Sequence, residues 1–514
     1  MLVRTYGSAV YGIDAITVTI EVDVSPGINF FLVGLPDSAV RESQQRISTA
    51  VQSVGLKVPG KRIVINMAPA DIRKEGSAYD LPLALGILAA SGQIEASALE
   101  HFVCMGELAL DGSLRPVRGA LSIALHARAC GFDACIFPAC SAGEAAVAEG
   151  IRIFGADHLS GVLDILNGQG EPLSPCLLEN KSTTGGLREV PDFALVRGQE
   201  QAKRALEVAA AGSHNVLLSG PPGAGKTFMA RCIPGILPPL SMDEAMETTR
   251  IYSVAGIPAG EGSLMIRRPF RAPHHTASVI SLTGGGAGAL PGEISLAHNG
   301  VLYLDELPEF SRSALEVLRQ PLEDGYIQLS RVRYKVTYPA KFMLVASRNL
   351  CPCGFLGHPC KPCVCTEYQI QHYRNRVSGP LLDRIDIQLQ VKPVEVEDLI
   401  PGGPNTASGT GQAVFQGETS AQIAERVIAA RKLQTERFSR LQGVYCNAQI
   451  PVGKLPVFCA LGPQTTAFLK HALQRLQLSA RAHHRILRIA RTIADLEASE
   501  TIDTCHLAEA IQYR

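Results

Sequence analysis

The clearest chemical signal in the chain is a glycine-rich run that ends in lysine and threonine. Glycines at this spacing let backbone N–H groups surround phosphates, the lysine meets the charge of the β- and γ-phosphates, and the hydroxyl can ligate Mg²⁺. An apolar run precedes it at 215–219, and a helix-like run follows at 228–233. We therefore predict a site for ATP and Mg²⁺. The run, called the phosphate loop below, comprises Gly220, Pro221, Pro222, Gly223, Ala224, Gly225, Lys226 and Thr227.

Two carboxylates follow a second apolar run. Asp305 and Glu306 come directly after residues 301–304, which have the pattern of a buried strand. Open α/β sheets bind ligands at the carboxyl ends of their strands, so Asp305 is expected to hold Mg²⁺ and Glu306 to activate the attacking water. A third apolar run, 341–346, leads to Asn349, our candidate for positioning that water. An ordinary turn asparagine is the alternative.

The cysteines are concentrated in one short segment. Of the fourteen in the chain, five fall between Cys351 and Cys365. The outer pairs form two C-x-C turns, and four thiolates on two tight turns suit tetrahedral Zn²⁺. A closed site of this kind leaves no position for water, so the metal would be structural. Five reduced thiols are the alternative. Such a cluster, without a signal peptide before it, favours a cytoplasmic protein.

Two basic stretches are candidates for contact with a phosphate backbone. Alternation over residues 327–337 places Arg331, Arg333 and Lys335 on one face of an expected hairpin, which would neutralise phosphates without distinguishing bases. The alternative is an ordinary solvated strand face. Residues 437–494 carry nine Lys or Arg and no Asp or Glu. There, the spacing of Arg481, Arg485 and Arg488 puts them on one helix face, and we expect part of this charge to serve ATP and the rest DNA.

Composition limits the class of protein. The chain has 514 residues, of which 46% are hydrophobic and 19% charged, so it can bury a full core and global disorder is excluded. Equal numbers of basic and acidic residues, 48 each, exclude a uniformly basic protein. Alternating strand-like and helix-like runs indicate an α/β fold. The expected parts are an N-terminal domain at 1–165, a linker at 166–192, a core at 193–392 with its cysteine-rich loop at 351–365, a flexible linker at 393–420 and a helical domain at 421–514.

The order of phosphate loop, acidic strand and polar strand end resembles the AAA+ ATPases. Residues 198–207, 291–300 and 378–386 are similar to the magnesium-chelatase-like branch of that group. Within the branch, residues 6–12 and 33–37 resemble the YifB/ComM family, and the match extends over essentially the whole chain. The resemblance implies an AAA+ core, an N-terminal domain similar to the Lon protease domain, and a C-terminal helical lid.

The resemblance also implies partners and further site residues. It implies a ring, expected to be a hexamer, with ATP at the subunit interfaces, Arg384 as the arginine finger, and Arg481 as a sensor with Arg485 as its companion. The expected activity is that of an ATP-driven DNA helicase that promotes branch migration during homologous recombination in natural transformation. Its DNA partners would be single-stranded or branched and sequence-independent, alongside recombination proteins. The family's paired C-x-C turns imply Cys351, Cys353, Cys363 and Cys365 as zinc ligands, with Cys360 and His358 as substitutes.

The same resemblance excludes one activity of the N-terminal domain. In register with the Lon motifs, Ala78 occupies the nucleophile position, Ser77 lies one residue early, and Leu121 occupies the position of the catalytic lysine. A Ser–Lys mechanism needs both groups, so we expect no protease activity. Three other hypotheses remain beside the DNA motor: a protease, a chelatase-type or protein-remodelling ATPase, and a zinc-bearing DNA-binding protein that is not an enzyme.

Overall fold

The computed structural model of the chain describes residues 1–173, 190–257, 264–286, 288–331, 334–358, 361–393, 417–441 and 443–514, without the side chains of Arg331 and Tyr334. Most of both expected linkers, together with Arg333 and Cys360, lies outside this part. The described residues form the α/β fold that the sequence predicted. None of their helices combines the length and the apolar character needed to cross a membrane.

The N-terminal part is a mixed sheet covered by helices. Its strands are β1 Leu2–Tyr11, β2 Asp14–Ser25, β3 Phe30–Val33, β4 Arg62–Ala68, β5 Phe102–Cys104, β6 Glu107–Leu108, β7 Leu114–Arg115, β8 Ala134–Pro138 and β9 Arg152–Ala156. Seven of them pair in the order β3-β4-β2-β1-β5-β8-β9. The helices are α1 Ser38–Arg41, α2 Ser43–Ser53, α3 Asp80–Ala90, α4 Ala120–Ala129, α5 Ala139–Ala145 and α6 Leu159–Leu166. Every residue of α3 is buried, which explains why that helix is apolar on all sides.

The central part contains a parallel five-stranded sheet. The strands of the whole central part are β10 Val216–Ser219, β11 Phe270–Arg271, β12 Gly284–Gly285, β13 Leu290–Pro291, β14 Val301–Leu304, β15 Tyr326–Arg331, β16 Tyr334–Pro339, β17 Met343–Arg348 and β18 Ile387–Gln390. The sheet has the order β11-β14-β17-β10-β18, and all its pairings are parallel. The helices are α7 Glu200–Gly212, α8 Lys226–Cys232, α9 Met242–Ala255, α10 Val279–Thr283, α11 Glu293–Leu296, α12 Arg312–Glu316, α13 Arg319–Asp324, α14 Glu367–Arg374 and α15 Gly379–Leu382.

The C-terminal part is helical and packs on one face of this sheet. Its helices are α16 Ser420–Phe438, α17 Leu455–Phe458, α18 Pro463–Arg475, α19 Ala480–Leu496 and α20 Thr504–Gln512. Alternate residues of the sheet strands belong to different cores: Val216 and Leu218 pack with the lid helices, whereas Leu217 packs with α10 to α13. Ile486, Ile489 and Ile493 form the apolar face of α19 and are fully buried.

Helix α9 joins the N-terminal part to the central sheet. Arg250 on this helix donates a hydrogen bond to the Asp14 carboxylate at 2.7 Å. One turn along, the Ser253 hydroxyl donates to the Glu144 carboxylate at 2.6 Å, where burial raises the pKa of Glu144 despite that hydrogen bond. The Ser253–Glu144 contact is largely buried and the Arg250–Asp14 pair is at the surface; both join α9 to the N-terminal part.

Candidate functional site

The phosphate loop lies between β10 and α8, at the carboxyl edge of the parallel sheet. Gly223 and Gly225 have φ values of +79° and +80°, a conformation that glycine adopts without strain. Gly220 is restricted by space instead, since a Cβ there would lie 2.4 Å from the Val391 carbonyl oxygen. The loop lines an open cavity of about 380 Å³. This is the geometry in which successive N–H groups surround an anion.

Lys226 begins α8 and its side chain folds back over the phosphate loop. Its ammonium group donates to the carbonyl oxygens of Gly220 at 2.7 Å and Pro221 at 2.8 Å, and to the Asn349 side-chain oxygen at 3.2 Å. Burial lowers the pKa of Lys226, and the charges of Asp305 and Glu306 oppose that effect. A partly buried cation with neutral oxygen partners can exchange them for the phosphate oxygens of a nucleotide.

The side chains of Asp305 and Thr227 are in contact, although Asp305 follows strand β14 and Thr227 lies in the first turn of α8. The Thr227 hydroxyl donates to the Asp305 carboxylate at 2.8 Å, and the Ser347 hydroxyl donates to its other oxygen. Burial alone would raise the pKa of Asp305, but the hydrogen bonds from Ser347 and Thr227 outweigh it and lower the pKa. An ionised carboxylate beside a hydroxyl is a suitable ligand pair for Mg²⁺.

Glu306 and Asn349 line the same cavity as the phosphate loop. Glu306 has a φ of +53°, which is uncommon outside glycine and is typical of residues held for a functional purpose. Its backbone N–H donates to the Ser347 hydroxyl at 3.2 Å. His275 lies beside it, with Nδ1 3.6 Å from a Glu306 carboxylate oxygen.

Ser347 and His275 are the site residues that sequence reasoning missed. Ser347 could have been found, because it ends the same strand as Asn349 and carries a hydroxyl. His275 belongs to a loop separated in sequence from every other site residue, and no local pattern links it to Glu306.

Arg384 and Arg481 do not line the cavity of their own chain. The Arg384 guanidinium pairs with Glu323 and donates to the Pro380 carbonyl oxygen at 2.6 Å. Arg481 is exposed and lies 3.6 Å from Asp383.

Four cysteine side chains converge after Asn349, as the paired turns predicted. The Sγ atoms of Cys351, Cys353, Cys363 and Cys365 all lie within 4.8 Å of one another. Backbone hydrogen bonds from Phe355 and Val364 lower the pKa of Cys353 to about 6, whereas burial and hydrogen bonds to neighbouring thiols raise the pKa of Cys363 and that of Cys365. His358 is not part of the group, and its Nδ1 accepts from Lys361. Four thiols at these distances are compatible with zinc.

Strands β15 and β16 form the hairpin expected at this basic stretch. They pair Ser330 with Lys335 and Arg331 with Tyr334. Cross-strand partners share a face, so Lys335 lies on the same face as Ser330. Lys335 is exposed, whereas Arg333 and the side chain of Arg331 lie outside the described residues. The shared basic face of Arg331, Arg333 and Lys335 therefore stays a prediction.

Most of the basic face expected on α19 is internal. Arg485 is buried, donates to the Ile385 carbonyl oxygen and lies 3.4 Å from Asp386; burial lowers its pKa to about 10. Arg488 donates to the Ile450 carbonyl oxygen at 2.6 Å. Arg485 thus contacts the central part, whereas Arg488 contacts another segment of the C-terminal part. The division of this charge between ATP and DNA stays a prediction.

The N-terminal domain keeps the polar residues near the Lon-like motif in structural contacts. The Ser77 hydroxyl donates to Glu107, and the buried Lys74 ammonium donates to the Pro69 carbonyl oxygen, with burial lowering its pKa. Leu121 is fully buried in the apolar core.

We predict that the purified protein with ATP and Mg²⁺ leaves casein uncut. Replacing Ser77 with alanine should then change neither casein integrity nor the rate of ATP hydrolysis by more than about twofold, because a single hydrogen bond to Glu107 contributes only about 1 kcal/mol. Gel electrophoresis of casein over several hours measures the first outcome and phosphate release the second. Cleavage that Ser77→Ala abolishes would contradict the inactive-domain prediction.

Three family profiles match consecutive parts of the chain. Residues 192–399 match magnesium chelatase subunit ChlI, and residues 20–141 match a second profile described as subunit ChlI of Mg-chelatase. Residues 417–514 match the C-terminal profile of magnesium chelatase subunit ChlI. Together they cover the N-terminal part, the parallel sheet with its nucleotide cavity, and the lid.

Relatives of known name extend the match over the full length. The chain is 43% identical to the protein YifB of Salmonella typhimurium over 98% of this chain and 96% of that protein. It is also 43% identical to competence protein ComM of Haemophilus influenzae over 100% of this chain and 97% of that protein. The magnesium-chelatase 38 kDa subunit of Cereibacter sphaeroides is 27% identical over 30% of this chain and 52% of its own length. The chain therefore belongs to the YifB/ComM family of magnesium-chelatase-like AAA+ proteins.

Proposed function

We propose that this protein is an ATP-driven DNA motor that promotes branch migration during homologous recombination of DNA taken up in natural transformation. The observation that carries the proposal is the convergence of the phosphate loop, Asp305, Glu306 and Asn349 around one cavity. They lie at the carboxyl ends of three adjacent parallel strands, β14, β17 and β10. A phosphate site, a pair of carboxylates and a polar strand end are the parts that ATP hydrolysis requires.

Each residue of the cavity has a proposed role that follows from its position. Phosphate loop N–H groups and Lys226 hold the β- and γ-phosphates, while Glu306 orients a water for attack on the γ-phosphorus. The bond from the γ-phosphorus to the bridging oxygen breaks, which gives ADP and inorganic phosphate. Thr227 and Asp305 would hold Mg²⁺, which neutralises charge on the phosphate oxygens. Asn349, hydrogen-bonded to Lys226, lies where the γ-phosphate would be sensed.

We assign these steps to a ring of subunits, proposed to be a hexamer, with Arg384 and Arg481 acting on a neighbour's nucleotide. Neither arginine is among the residues that line the cavity of its own chain, which supports this assignment. Residues 193–392 would then form the motor core and residues 421–514 the lid. Residues 1–165, which contact α9, would guide DNA or ring assembly.

Two observations support DNA as the substrate. The relative that matches over the whole chain is named a competence protein. The β15–β16 hairpin presents an exposed Lys335 near the start of β16, and a basic side chain on a strand ribbon can contact phosphates without distinguishing bases.

A labelled synthetic four-way junction tests the proposal. Wild type with ATP is expected to separate the junction arms, whereas Lys226→Ala should lower both ATP binding and branch migration at least about 100-fold, since it removes a buried cation from the phosphate site. Lys432→Ala, a change at an exposed lysine of α16, is the matched control and should stay within about twofold of wild type. The motor would be ruled out if the junctions stay intact and the rate of ATP hydrolysis does not change when DNA is added.

A chelatase-type ATPase is the second candidate. The magnesium-chelatase subunits match the chain, but only over about a third of it, and this partial match is the observation that favours the alternative. ATP hydrolysis that is indifferent to DNA but stimulated by a metal-inserting partner protein would support this candidate.

A further inference from the structure

The loop that carries the four cysteines, residues 351–365 and called the cysteine loop here, packs directly on the phosphate loop. Gly354 has a φ of +83° and lies against the ring of Pro222. A Cβ added at Gly354 would come within 2.8 Å of the Pro222 Cδ atom and 3.2 Å of its Cγ atom. Contacts that short do not occur in relaxed structures, so only glycine fits at this position without moving the phosphate loop.

Two further contacts tie the same segment to the nucleotide cavity. The Gly220 N–H donates to the Arg348 carbonyl oxygen at 3.1 Å, and Lys226 donates to Asn349 at 3.2 Å. Cys351 follows two residues after Asn349 and is fully buried. The seven residues 348–354, which begin at the end of β17, therefore contact the phosphate loop three times and include the first two cysteines of the cluster.

Two hydrogen bonds to Cys351 restrain the turn that contains Gly354. The Gly354 N–H donates to the Cys351 carbonyl oxygen at 3.0 Å, and the Leu356 N–H donates to the Cys351 Sγ atom at 3.3 Å. The residues fit zinc by number, chemistry and spacing. When bound, zinc would tie the four thiolates into one unit and restrict the turn that carries Gly354.

We propose that the cysteine loop positions the phosphate loop through the contact between Gly354 and Pro222, and so sets the affinity for nucleotide. The inference rests on the proposed function, because it assumes that the phosphate loop binds ATP. Gly354 and Pro222 are positioning residues: neither supplies a charge or a proton to the phosphates. Metal removal or thiol oxidation would disorder the four cysteines. Through the contact between Gly354 and Pro222, this disorder would lower the affinity for nucleotide.

The chain offers a matched control for Gly354. Gly357, in the same loop, has a similar φ of +73°, but a Cβ added there meets nothing within 4 Å. Alanine at either position strains the backbone equally. Only alanine at Gly354 collides with Pro222. A difference between the two variants therefore isolates the contact from the strain.

The test measures binding of a fluorescent ADP analogue to the full chain with Mg²⁺. Gly354→Ala should raise its Kd about tenfold, the expected scale for one overpacked contact, and Gly357→Ala by less than about twofold. Metal analysis should find one zinc per chain in both variants. Their melting temperatures should lie within a few degrees of that of wild type. Pro222→Ala removes the Cγ–Cδ ring atoms and should restore most of the lost affinity in the Gly354→Ala background, as a double-mutant cycle would show.

Equal losses in Gly354→Ala and Gly357→Ala would overturn the inference, since strain alone would explain them. Unchanged affinity in Gly354→Ala, or no recovery with Pro222→Ala, would also overturn it. A zinc-selective chelator, with Mg²⁺ in excess, should weaken ADP binding by wild type at least as much as Gly354→Ala does. Failure of the proposed ATP site is distinguishable, because wild type itself would then bind no nucleotide or Lys226→Ala would bind it equally well.

Discussion

Replacing Arg384 with alanine is expected to lower kcat for ATP hydrolysis about 10³-fold while ATP affinity stays within a few-fold of wild type. An arginine that reaches the γ-phosphate contributes on this scale because it stabilises charge that develops in the transition state. Arg384 is absent from the cavity of its own chain and pairs with Glu323 instead. Its Nε atom is buried without a hydrogen-bond partner in the described part of the chain. In the proposed ring, the nucleotide on which it acts would belong to a neighbouring subunit.

Mixing two inactive variants tests whether Arg384 acts between subunits. Arg384→Ala retains an intact nucleotide cavity, and Lys226→Ala retains an intact arginine. If the arginine acts in trans, mixed rings should recover a measurable fraction of wild-type phosphate release. If it acts within one chain, no mixture should exceed the sum of the separate variants.

Arg376→Ala is the control for the general effect of losing an arginine. It pairs with Glu309 at 2.8 Å and is about half exposed, so its removal should change hydrolysis by less than about twofold. A comparable loss in Arg376→Ala would show that the effect of Arg384→Ala reflects damage to this face and not to catalysis.

Replacing Glu306 with glutamine should slow ATP hydrolysis about 10²- to 10³-fold and leave ATP binding intact. The amide cannot accept a proton from the attacking water, and positioned bases contribute on this scale. The variant should therefore accumulate ATP-bound protein, because Lys226, Thr227 and Asp305 are untouched. Single-turnover phosphate release measures the chemical step, and equilibrium binding measures the affinity.

Glu309→Gln provides the matched control, since Glu309 lies one turn farther along and pairs with Arg376. Its hydrolysis rate should remain near that of wild type. A Glu306→Gln rate within several-fold of wild type would mean that Glu306 does not orient the water. His275, at 3.6 Å from Glu306, would then be the next group to replace.

The separate elements of the nucleotide site were predictable because each has a local pattern. The phosphate loop follows a strand and begins a helix, and Asp305 directly follows four apolar residues. Strand ends on a parallel sheet are adjacent in space whatever their separation in sequence. This rule places Asn349 near Lys226, and the structure has them 3.2 Å apart. The convergence of the four cysteines was predictable for a similar reason, since two short turns restrict where the thiols can lie.

Predictions about faces depend on contacts that spacing does not specify. In the hairpin, strand pairing places Lys335 opposite Ser330. The helical spacing of Arg485 and Arg488 was correct, yet spacing does not say what a face packs against. Here the face meets Asp386 and the Ile450 carbonyl oxygen, which compensate the buried charges.

The sequence by itself determined the fold class and the family, and it identified the residues proposed to bind ATP, Mg²⁺ and a structural metal. These follow from residue type and short-range spacing. Only the tertiary structure decided which distant groups meet: His275 with Glu306, Arg384 with Glu323, and Gly354 with Pro222. Such pairs are set by how helices and loops pack after the chain has folded, and packing depends on the shapes of many neighbours at once. No local pattern in the chain records them.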